Sequence, residues 1–407
     1  MDQNHSVDLN RRGFLSAAGA GLLIVKPQAV RGTQANSAVA VGLLGCGGRG
    51  SAVTSSFVTN TTTRVVALAD IFKDQLDAAV ARFSKAGPAV AESQVFLGQK
   101  AFQEIANSKS VDLVVITSPP YFHPEHLEAV VAAGKHVYVE KPVAVDVPGC
   151  KRVLAAGKKA EGKLSLDVGF QLRMAPPFVE LVKRVHGGAL GEIACGEGHY
   201  YTGYLNVRQM PDASPAERRL RQWVHDRVLS GDILVEQNIH AIDICNWILK
   251  SHPVRAVGSG GRNGRSDQGD AWSHFSLIYD YPGGVHVNFS STQFGNKVGS
   301  DVMERFFGTR GKCQTPYSGP VRIDGEEAWT WAPAANSNID SAVGEKQKAF
   351  IESITSGQFH NQAVDAVDTT LTCILGRTAA YTGKPVTWEQ LLKSRETWDP
   401  RLNLDKL

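Results

Sequence analysis

Six residues near the start of the chain have the types and spacing that bind a diphosphate. Residues 45–50 read Gly-Cys-Gly-Gly-Arg-Gly, a G-x-G-x-x-G pattern that directly follows the apolar, β-branched run at 38–44. In such loops the glycines allow a tight turn, close approach of the backbone to a pyrophosphate, and close packing of the next helix. The N-terminus of a helix predicted from Ser51 adds free N–H groups and a positive dipole end. The pattern predicts a dinucleotide site that includes Gly45, Gly47, Gly48, Arg49 and Gly50.

An acidic residue stands at the distance from this loop where an adenosine ribose is bound. Asp70 follows the apolar run at 64–69 and lies 20 residues beyond Gly50. A carboxylate at this position accepts hydrogen bonds from the ribose, and its charge repels a 2′-phosphate. Asp70 therefore predicts NAD rather than NADP as the cofactor. The alternative is that Asp70 caps a helix that begins near Ile71.

A second group of ionisable side chains lies in the segment 236–243. On a helix, Glu236, His240 and Asp243 would share one face at i, i+4 and i+7. A positioned histidine can act as a general acid or base. The alternatives are that His240 is a buried, hydrogen-bonded core histidine, and that Asp243 either orients it or makes a cap interaction.

The elements that must position these residues alternate between strand and helix through the first half. Apolar runs at 111–116 and 136–139 predict further strands, with a helix between them at about 124–133 that ends at Gly134. This alternation predicts a doubly wound parallel sheet with right-handed crossovers. Ligands bind such sheets at the carboxyl ends of the strands. The residues that follow predicted strand ends are Gly45, Asp70, Thr117, Glu140 and Lys141.

The second half of the chain has a different pattern. A strand predicted at 166–173 and a helix at about 177–186 precede a series of strand-like segments, several without helices between them. Residues 282–284, Pro-Gly-Gly, predict a hairpin turn between two of these segments. Such a series indicates an antiparallel sheet. The segments lie at 194–201, 255–258, 273–279, 285–291 and 302–307.

Together these motifs resemble those of the glucose–fructose oxidoreductase / inositol dehydrogenase / MocA (Gfo/Idh/MocA) family. The matching segments are 45–50, 117–120 followed by His123, and 134–137 leading into Glu-Lys-Pro at 140–142. The Glu-Lys-Pro motif is a specific feature because it stands at the expected strand end. The resemblance extends to the end of the chain.

The resemblance implies an α/β fold of two domains after an N-terminal segment at 1–37. A Rossmann domain with a doubly wound parallel sheet is expected at 38–165. A C-terminal α+β domain with a large, mostly antiparallel open sheet and C-terminal helices is expected at 166–407. Such proteins are mostly NAD(P)-dependent oxidoreductases that act on sugars, cyclitols or related compounds, and they commonly form dimers or tetramers.

The resemblance also implies catalytic roles. By its match to the family motif, Lys141 contacts the substrate hydroxyl and transfers its proton, and Glu140 orients Lys141 or contacts the cofactor. Inositol-dehydrogenase-like members carry Asp-x-x-x-His at the second group, so His240 matches the catalytic histidine and Glu236 replaces the usual Asp. The extra methylene of Glu236 argues against a simple polyol dehydrogenase. The alternative for Lys141 is a solvated surface lysine.

Further candidates are weaker. The resemblance places His123 near the cofactor, although it could instead cap the following helix. Gln171 is expected to contact the cofactor, and Arg173 and Asp243 the substrate, with a structural role as the alternative for Arg173. Sugar rings stack on aromatic side chains, so two aromatic residues are included as substrate contacts, although such residues are more often part of the core. These are Tyr201 and Trp223.

Composition excludes several function classes. The chain has 407 residues, 43% of them hydrophobic and 20% charged, which is an ordinary globular composition with room for two domains. Its net charge is +3, of which +2 falls in the first 37 residues and +1 in the remainder. That remainder has no basic field for nucleic acid. A multi-span membrane protein and a small disulfide-rich protein are excluded as well.

The six cysteines give no sign of a metal site. They are scattered, without a C-x-x-C pair or a Cys/His cluster at zinc spacing. We therefore expect no metal and interpret the cysteines as small apolar residues. The alternative is that some form disulfides, which an even count in an exported protein permits but the spacing does not pair.

The first 37 residues predict an export signal. Arg11 and Arg12 precede an apolar run of 12 residues at 14–25, which is shorter than the roughly 20 residues that cross a bilayer. Small residues follow, ending near Ala35. The adjacent arginines, followed by Gly-Phe-Leu, resemble a twin-arginine (Tat) signal. The expected partner is the Tat machinery and the expected location is the periplasm, with membrane association if the signal stays uncleaved; the alternative is a chance basic start on a cytosolic protein.

Three functions remain open at this point. The first is an NAD-dependent oxidoreductase that acts on a sugar or glycoside hydroxyl. The second is a redox-neutral glycosidase or epimerase that retains its NAD, because glycosidases of the family-109 type resemble this chain in the glycine loop and the Tat signal. The third is a non-catalytic sensor that binds NAD and a sugar.

Overall fold

Apolar β-branched runs in the first half assemble into one parallel sheet. In the computed structural model, the described residues are 38–203, 205, 210–265, 269–295, 299–331 and 340–406. The sheet order is β3-β2-β1-β4-β5-β6 with every neighbouring pair parallel, which is the order of a dinucleotide-binding Rossmann fold. Its strands are β1 (Val39–Leu44), β2 (Thr63–Asp70), β3 (Val95–Leu97), β4 (Leu113–Ile116), β5 (His136–Val139) and β6 (Leu166–Val168).

Helices cover both faces of this sheet. All six residues of β1 are buried, as expected for a central parallel strand whose two faces are both covered. The helix predicted from Ser51 begins at Gly48, and the helix predicted at 124–133 is observed at His123–Ala132. The helices are α1 (Gly48–Asn60), α2 (Lys73–Ala86), α3 (Ala101–Asn107), α4 (His123–Ala132) and α5 (Val147–Ala160).

The strand predicted at 166–173 is shorter than expected and belongs to the first sheet. Only Leu166–Val168 is extended, and it pairs parallel with β5. The chain then turns sharply, because the Phe170 N–H bonds to the Val168 carbonyl at 2.6 Å and a 3-10 helix follows at Gln171–Met174. The Rossmann sheet therefore extends beyond residue 165 to residue 168.

The second half forms a nine-stranded sheet ordered β14-β13-β12-β11-β7-β10-β9-β8-β15. Its strand pairs are antiparallel except β7 with β10, so the sheet is mostly antiparallel, as predicted. Gly283 and Gly284 of the predicted hairpin turn both have positive φ, 76° and 79°, a conformation that glycine adopts without steric cost. The strands are β7 (Ile193–Thr202), β8 (Arg255–Gly261), β9 (His274–Asp280), β10 (His286–Gln293), β11 (Asp301–Gly308), β12 (Gly311–Gln314), β13 (Val321–Gly325), β14 (Trp329–Trp331) and β15 (Val386–Thr387).

Helices of the second half cover one face of this nine-stranded sheet and connect it to the parallel sheet of the first half. Along β9, buried and accessible residues alternate, so one face packs and the other stays open. One hydrophobic core includes residues of both sheets; in chain order its first member is Leu44 and its last is Leu391. The remaining helices are α6 (Pro176–His186), α7 (Pro215–Arg221), α8 (Arg227–Ser230), α9 (Ile233–Glu236), α10 (Ile239–Leu249), α11 (Asp340–Ser356), α12 (Ala363–Thr382) and α13 (Trp388–Leu392).

The described residues from Val39 onward form one compact unit. Among them, no helix is both long enough and apolar enough to cross a membrane. Five cysteines are buried and Cys195 is exposed. The predicted export signal at 1–37 lies outside the described residues.

A buried ion pair ties α11 to the end of the Rossmann sheet. Lys346 Nζ donates to Asp167 Oδ1 at 2.5 Å, with side chains only 3% and 1% exposed. Removing one member of such a pair leaves an uncompensated charge in the core, whereas removing both does not.

We predict that Lys346→Met lowers the free energy of unfolding by about 3–5 kcal/mol. The double variant Lys346→Met/Asp167→Leu should recover most of that loss. Lys348→Met, on the exposed side of the same helix, is the control and should stay within about 0.5 kcal/mol. Urea unfolding followed by circular dichroism measures the free energy of unfolding of all three variants. An equal loss of stability in Lys346→Met and Lys348→Met would contradict a special role for the buried pair.

Candidate active site

The glycine loop between β1 and α1 provides an open backbone cradle. Gly45 has φ +95°, and a Cβ added at Gly50 would lie 2.0 Å from the Gly45 carbonyl oxygen. By contrast, a Cβ added at Gly47 or Gly48 would meet nothing within 4 Å. Thr117 fixes the loop from β4 because its hydroxyl donates to the Gly45 carbonyl at 2.7 Å. The loop therefore fits a diphosphate at Gly47 and Gly48, while Gly45 and Gly50 permit the tight turn and packing.

A cavity of about 840 Å³ opens at this loop. It extends along the carboxyl ends of β1, β2 and β4, which is where a Rossmann sheet binds a dinucleotide. Among the predicted cofactor and substrate residues, those lining the cavity are Gly45, Gly47, Gly48, Asp70, Thr117 and Trp223.

Asp70 lines the cavity and organises its wall. Its Oδ2 accepts from the Cys46 N–H at 2.6 Å and its Oδ1 from the Phe72 N–H at 2.8 Å. Burial raises the pKa of Asp70, while these N–H donors act in the opposite direction. The alternative role as a helix cap is not observed, since α2 begins at Lys73 with no side-chain cap. Its position in the cavity supports the ribose role of Asp70, which stays a prediction.

Arg49 and Glu140 bind each other and do not line this cavity. Arg49 Nη2 and Nε lie 2.7 and 3.0 Å from Glu140 Oε1, and the Tyr138 hydroxyl donates to the same oxygen at 3.3 Å. Glu140 therefore does not orient Lys141, and its contact with the cofactor stays a prediction. The carboxylate is occupied by Arg49, and Gly169 packs so closely that an added Cβ would lie 2.6 Å from Glu140 Oε2.

Lys141 is fixed by a residue of the second half. Its Nζ donates to Glu236 Oε1 at 2.9 Å and also to the Glu236 carbonyl oxygen. The two side chains are 12% and 14% exposed. Lys141 is therefore a positioned cation at the end of β5, and the solvated-surface alternative is wrong. Glu236, not Glu140, orients it.

His240 is buried beside this pair. Its ring and that of Phe170 are nearly perpendicular, with 6.3 Å between centroids, and no described residue forms a hydrogen bond to it. Burial, together with the positive charges of Lys141 and Arg49, holds the pKa of His240 well below its usual range. The ring is therefore neutral near pH 7. The alternative of a hydrogen-bonded core histidine is not what the structure shows.

The predicted single helix through Glu236 and His240 is interrupted. Both Gln237 N and Asn238 N bond to the Ile233 carbonyl at 2.9 Å, which ends α9 at Glu236 before α10 begins at Ile239. This extra residue in the turn breaks the i, i+4 spacing. Glu236 faces Lys141 through this turn rather than through a shared helix face.

Arg173 and Asp243 form a structural ion pair, not a substrate site. Arg173 Nε and Nη2 donate to the two oxygens of Asp243 at 2.9 and 2.8 Å, and its Nη1 donates to Asp365 at 2.7 Å. The Thr369 hydroxyl also donates to Asp243, at 2.9 Å. With the acceptors of Asp243 occupied and its side chain 2% exposed, Asp243 does not orient His240. Both substrate predictions are corrected.

His123 joins two loops instead of contacting the cavity. It is 1% exposed, and its Nδ1 and Nε2 lie 2.6 and 2.7 Å from the carbonyl oxygens of Pro142 and Ser118. It is the first residue of α4, so its side chain is not a cap. His123 thereby connects the loop after Thr117 to the loop after Lys141.

The two aromatic candidates, Tyr201 and Trp223, lie in different parts of the structure. Tyr201 lies on β7, where its hydroxyl pairs with Ser290 at 2.5 Å and its ring stacks on His199. It alternates with Tyr200, the buried neighbour on the helix-covered face, so Tyr201 occupies the open face of the sheet, away from α10. Trp223 lines the same cavity as Asp70, and its contact with the substrate stays a prediction.

Two buried amides offer unused hydrogen-bonding groups. Gln171 Oε1 is buried without a described partner at the start of the 3-10 helix after β6. Asn238, between Glu236 and His240, has both amide atoms buried and without a described partner. Buried polar groups normally find partners, so both are candidates for a ligand. The sequence analysis did not single out Asn238. The available signal was an asparagine within the largely apolar segment 233–249. The described residues contain no cluster suited to a metal ion.

Fold and site define an NAD-dependent oxidoreductase. Residues 39–168 match a model described as "Oxidoreductase family, NAD-binding Rossmann fold", and residues 178–314 match the "GFO/IDH/MocA C-terminal domain". The chain belongs to the Gfo/Idh/MocA family, and NAD is its cofactor.

Relatives agree with this assignment. Inositol 2-dehydrogenase of Klebsiella pneumoniae is 30% identical over 310 residues, covering 73% of this chain and 80% of that protein. Inositol 2-dehydrogenase of Rhizobium meliloti is 25% identical over 78% of this chain and 89% of its own length. A glycosyl hydrolase family 109 protein of Solibacter usitatus is 32% identical, over 55% of this chain and about half of its own length, 51%.

Solved structures share the fold. An aldose-aldose oxidoreductase from Caulobacter crescentus has a TM-score of 0.69 at 22% identity, covering 86% of this chain and 99% of its own. A levoglucosan dehydrogenase in complex with NADH and levoglucosan has a TM-score of 0.69 at 18% identity, covering 86% and 99%.

We predict that Asp70→Asn weakens NAD binding by about tenfold, equivalent to about 1.4 kcal/mol, and reduces the preference for NAD over NADP. The amide keeps only one acceptor oxygen and carries no charge to repel a 2′-phosphate. Isothermal titration with both nucleotides measures the change. Asp77→Asn, on the exposed surface of α2, is the control. NADP binding as tight as NAD in the unmodified protein would contradict the role of Asp70.

Proposed function

We propose that the protein oxidises a hydroxyl group of a sugar or glycoside by hydride transfer to NAD. The observation that carries this proposal is the hydrogen-bonding capacity left at the junction of the two halves. An ammonium group has three donors, and Lys141 uses two on Glu236. One donor remains. His240 is neutral and has no described partner, so it supplies an acceptor.

One donor and one acceptor match the requirements of a hydroxyl group. The hydroxyl oxygen would accept from Lys141 Nζ while its proton is donated to a nitrogen of His240. NAD, when bound, accepts the hydride from the carbinol carbon. Lys141 would stabilise negative charge on the oxygen as the proton leaves, and Glu236 keeps its Nζ in place. The relatives named inositol 2-dehydrogenase support a cyclic polyol or sugar as the substrate class.

We predict that Lys141→Ala and His240→Ala each lower kcat/KM by roughly 100-fold or more while NAD stays bound. If the two act on one hydroxyl, the double variant loses less than the product of the single effects. Steady-state kinetics with sugars and cyclitols that reduce the cofactor, together with the NAD content of each variant, provide the test. His286→Ala, at an exposed position of β10, is the control. Undiminished turnover in His240→Ala would refute the shared site.

A redox-neutral reaction with retained NAD is the second candidate. The family-109 relative supports it, as does predicted export, because free NAD is not expected outside the cytoplasm. In this reaction the hydride is taken from the sugar and later returned, after the transient ketone has acidified the neighbouring C–H.

An absorbance scan distinguishes these two candidates. If the reaction is redox-neutral, the protein as purified should show a nucleotide band and, on addition of glycosides, a transient rise at 340 nm without continued NADH release. Steady NADH production with added NAD would instead support net oxidation. Heat-denatured protein with the same glycosides controls for absorbance of the sugars.

We further propose that the chain is exported in its folded state by the Tat pathway. Arg11 and Arg12 before the apolar run at 14–25 support this. Replacing both arginines with Lys should leave folded protein in the cytoplasm, as measured by fractionation of cells that produce the full chain. Replacing Lys26 with Arg is the control, and unchanged export of the Arg11/Arg12 variant would refute the signal.

We also propose a homo-oligomer formed through the open face of the nine-stranded sheet. Ile278 on β9 and Phe307 on β11 are large apolar side chains exposed there, 42% and 37%. Sedimentation velocity of the purified chain tests this, and a monomer at micromolar concentration would refute it.

A further inference from the structure

One wall of the dinucleotide cavity comes from the second half of the chain. We call residues 210–223 the cover segment; it includes α7 and contributes Met210, Leu220, Arg221 and Trp223 to the cavity lining. Gly47 of the glycine loop lines the same cavity. So do Asp70, Ile71, Phe72 and Asp74 at the junction of β2 and α2, a segment we call the turn 71–74. Since Asp70 marks the adenosine ribose, the cover segment lies at the adenosine end of the site.

Arg221 connects the cover segment to this turn. Its Nη1 and Nη2 donate to the two oxygens of Asp74 at 3.0 and 2.7 Å. Its guanidinium carbon lies 3.8 Å from the centroid of the Phe72 ring. Bidentate pairing and stacking on an aromatic ring both use the planar fork of arginine. The contact lowers the pKa of Asp74, with Arg221 as the main cause.

The cover segment is anchored separately at its own base. Ser214 accepts from the Glu217 N–H and caps α7, and Glu217 also accepts from Arg221 Nε at 2.8 Å. Arg219 binds Asp226 and donates to the Pro400 carbonyl oxygen at 2.5 Å. Leu220 is buried. The segment can therefore keep its fold when its contact with the turn 71–74 is broken.

We propose that Arg221, Asp74 and Phe72 form a latch that holds the cover segment over the adenosine end of the NAD site and slows release of the cofactor. The latch joins residues on both sides of the cavity, so a bound dinucleotide leaves only after it opens. This inference deepens the retained-NAD candidate and rests on the NAD site. It assigns to these residues a positioning role, because they act on the cofactor by holding the cover segment.

The test measures NADH dissociation directly. Protein loaded with NADH is mixed with excess NAD, and the loss of bound-NADH fluorescence gives the dissociation rate. We expect Arg221→Gln and Asp74→Asn each to accelerate release by about tenfold and to lower the NAD content of the purified protein. The double variant should release NADH no faster than the quicker single variant, because both remove the same contact.

Salt dependence separates a latch from a general structural role. Asp74 is 61% exposed, so salt screens the pair. Raising the salt concentration from about 0.05 to about 0.5 M should speed NADH release from the unmodified protein. It should change the NADH release rate of the Arg221→Gln variant much less. Arg152→Gln is the matched control, since Arg152 makes a similar two-nitrogen pair with Glu128 at 2.6–3.1 Å that is not part of the cavity lining.

Several outcomes would overturn the latch. Release rates of both single variants within twofold of the unmodified protein would do so, as would an equal effect of Arg152→Gln. Asp74→Asn changes an exposed side chain and keeps the test valid if Arg221→Gln fails to fold. Because NADH dissociation needs no substrate, failure here leaves the proposed oxidation intact, and loss of the Lys141 role leaves the latch intact.

Discussion

The ion pair between Lys141 and Glu236 is the constraint on which the candidate active site depends. Lys141 follows a strand of the Rossmann sheet and Glu236 ends a helix of the second half, 95 residues later. Because both side chains are largely buried, neither charge is stable there without the other. The pair therefore constrains how the segment after β5 and the end of α9 are placed relative to each other, at the point where we propose that substrate and cofactor meet. Burial, together with the charge of the Lys141 cation, lowers the pKa of His240 and so keeps its ring in the neutral form.

Other buried contacts support this junction. Arg377 of α12 donates from one nitrogen to the carbonyl oxygens of Val145 and Gly231, both at 2.9 Å. Val145 lies just after the Glu-Lys-Pro loop, and Gly231 lies just before α9, so one guanidinium spans the two segments that carry Lys141 and Glu236. Arg173, with Asp243 and Asp365, fixes the start of the second half against α10 and α12 in the same way. Charged groups thus set the geometry here, while the shared apolar core supplies bulk stability.

What could be predicted from sequence was local. The glycine loop, Asp70 and Thr117 are signalled by short spacings around strand ends, and the structure brings them together at one cavity. The partners of Lys141 and Arg173 were not predictable, because each partner lies on a distant element of the chain. Glu140 is adjacent to Lys141, yet it pairs with Arg49, 91 residues earlier. The break before Ile239 was missed since the apolar periodicity continues through it, and only backbone hydrogen bonds show the extra residue.

Glu236 stands where the family resemblance implies an aspartate, and it contacts Lys141 through two oxygens. Its carboxylate and its own carbonyl oxygen both accept from Lys141 Nζ, so a single residue occupies two of the three donors of the ammonium group. The turn at Gln237 and Asn238 makes this possible, because α9 ends at Glu236 and its carbonyl points to Lys141 instead of continuing a helix. A substrate with several adjacent hydroxyls therefore finds only one donor on Lys141. Further hydroxyls must be recognised by other groups, and the buried amides of Asn238 and Gln171 have the unused hydrogen-bonding capacity to do this.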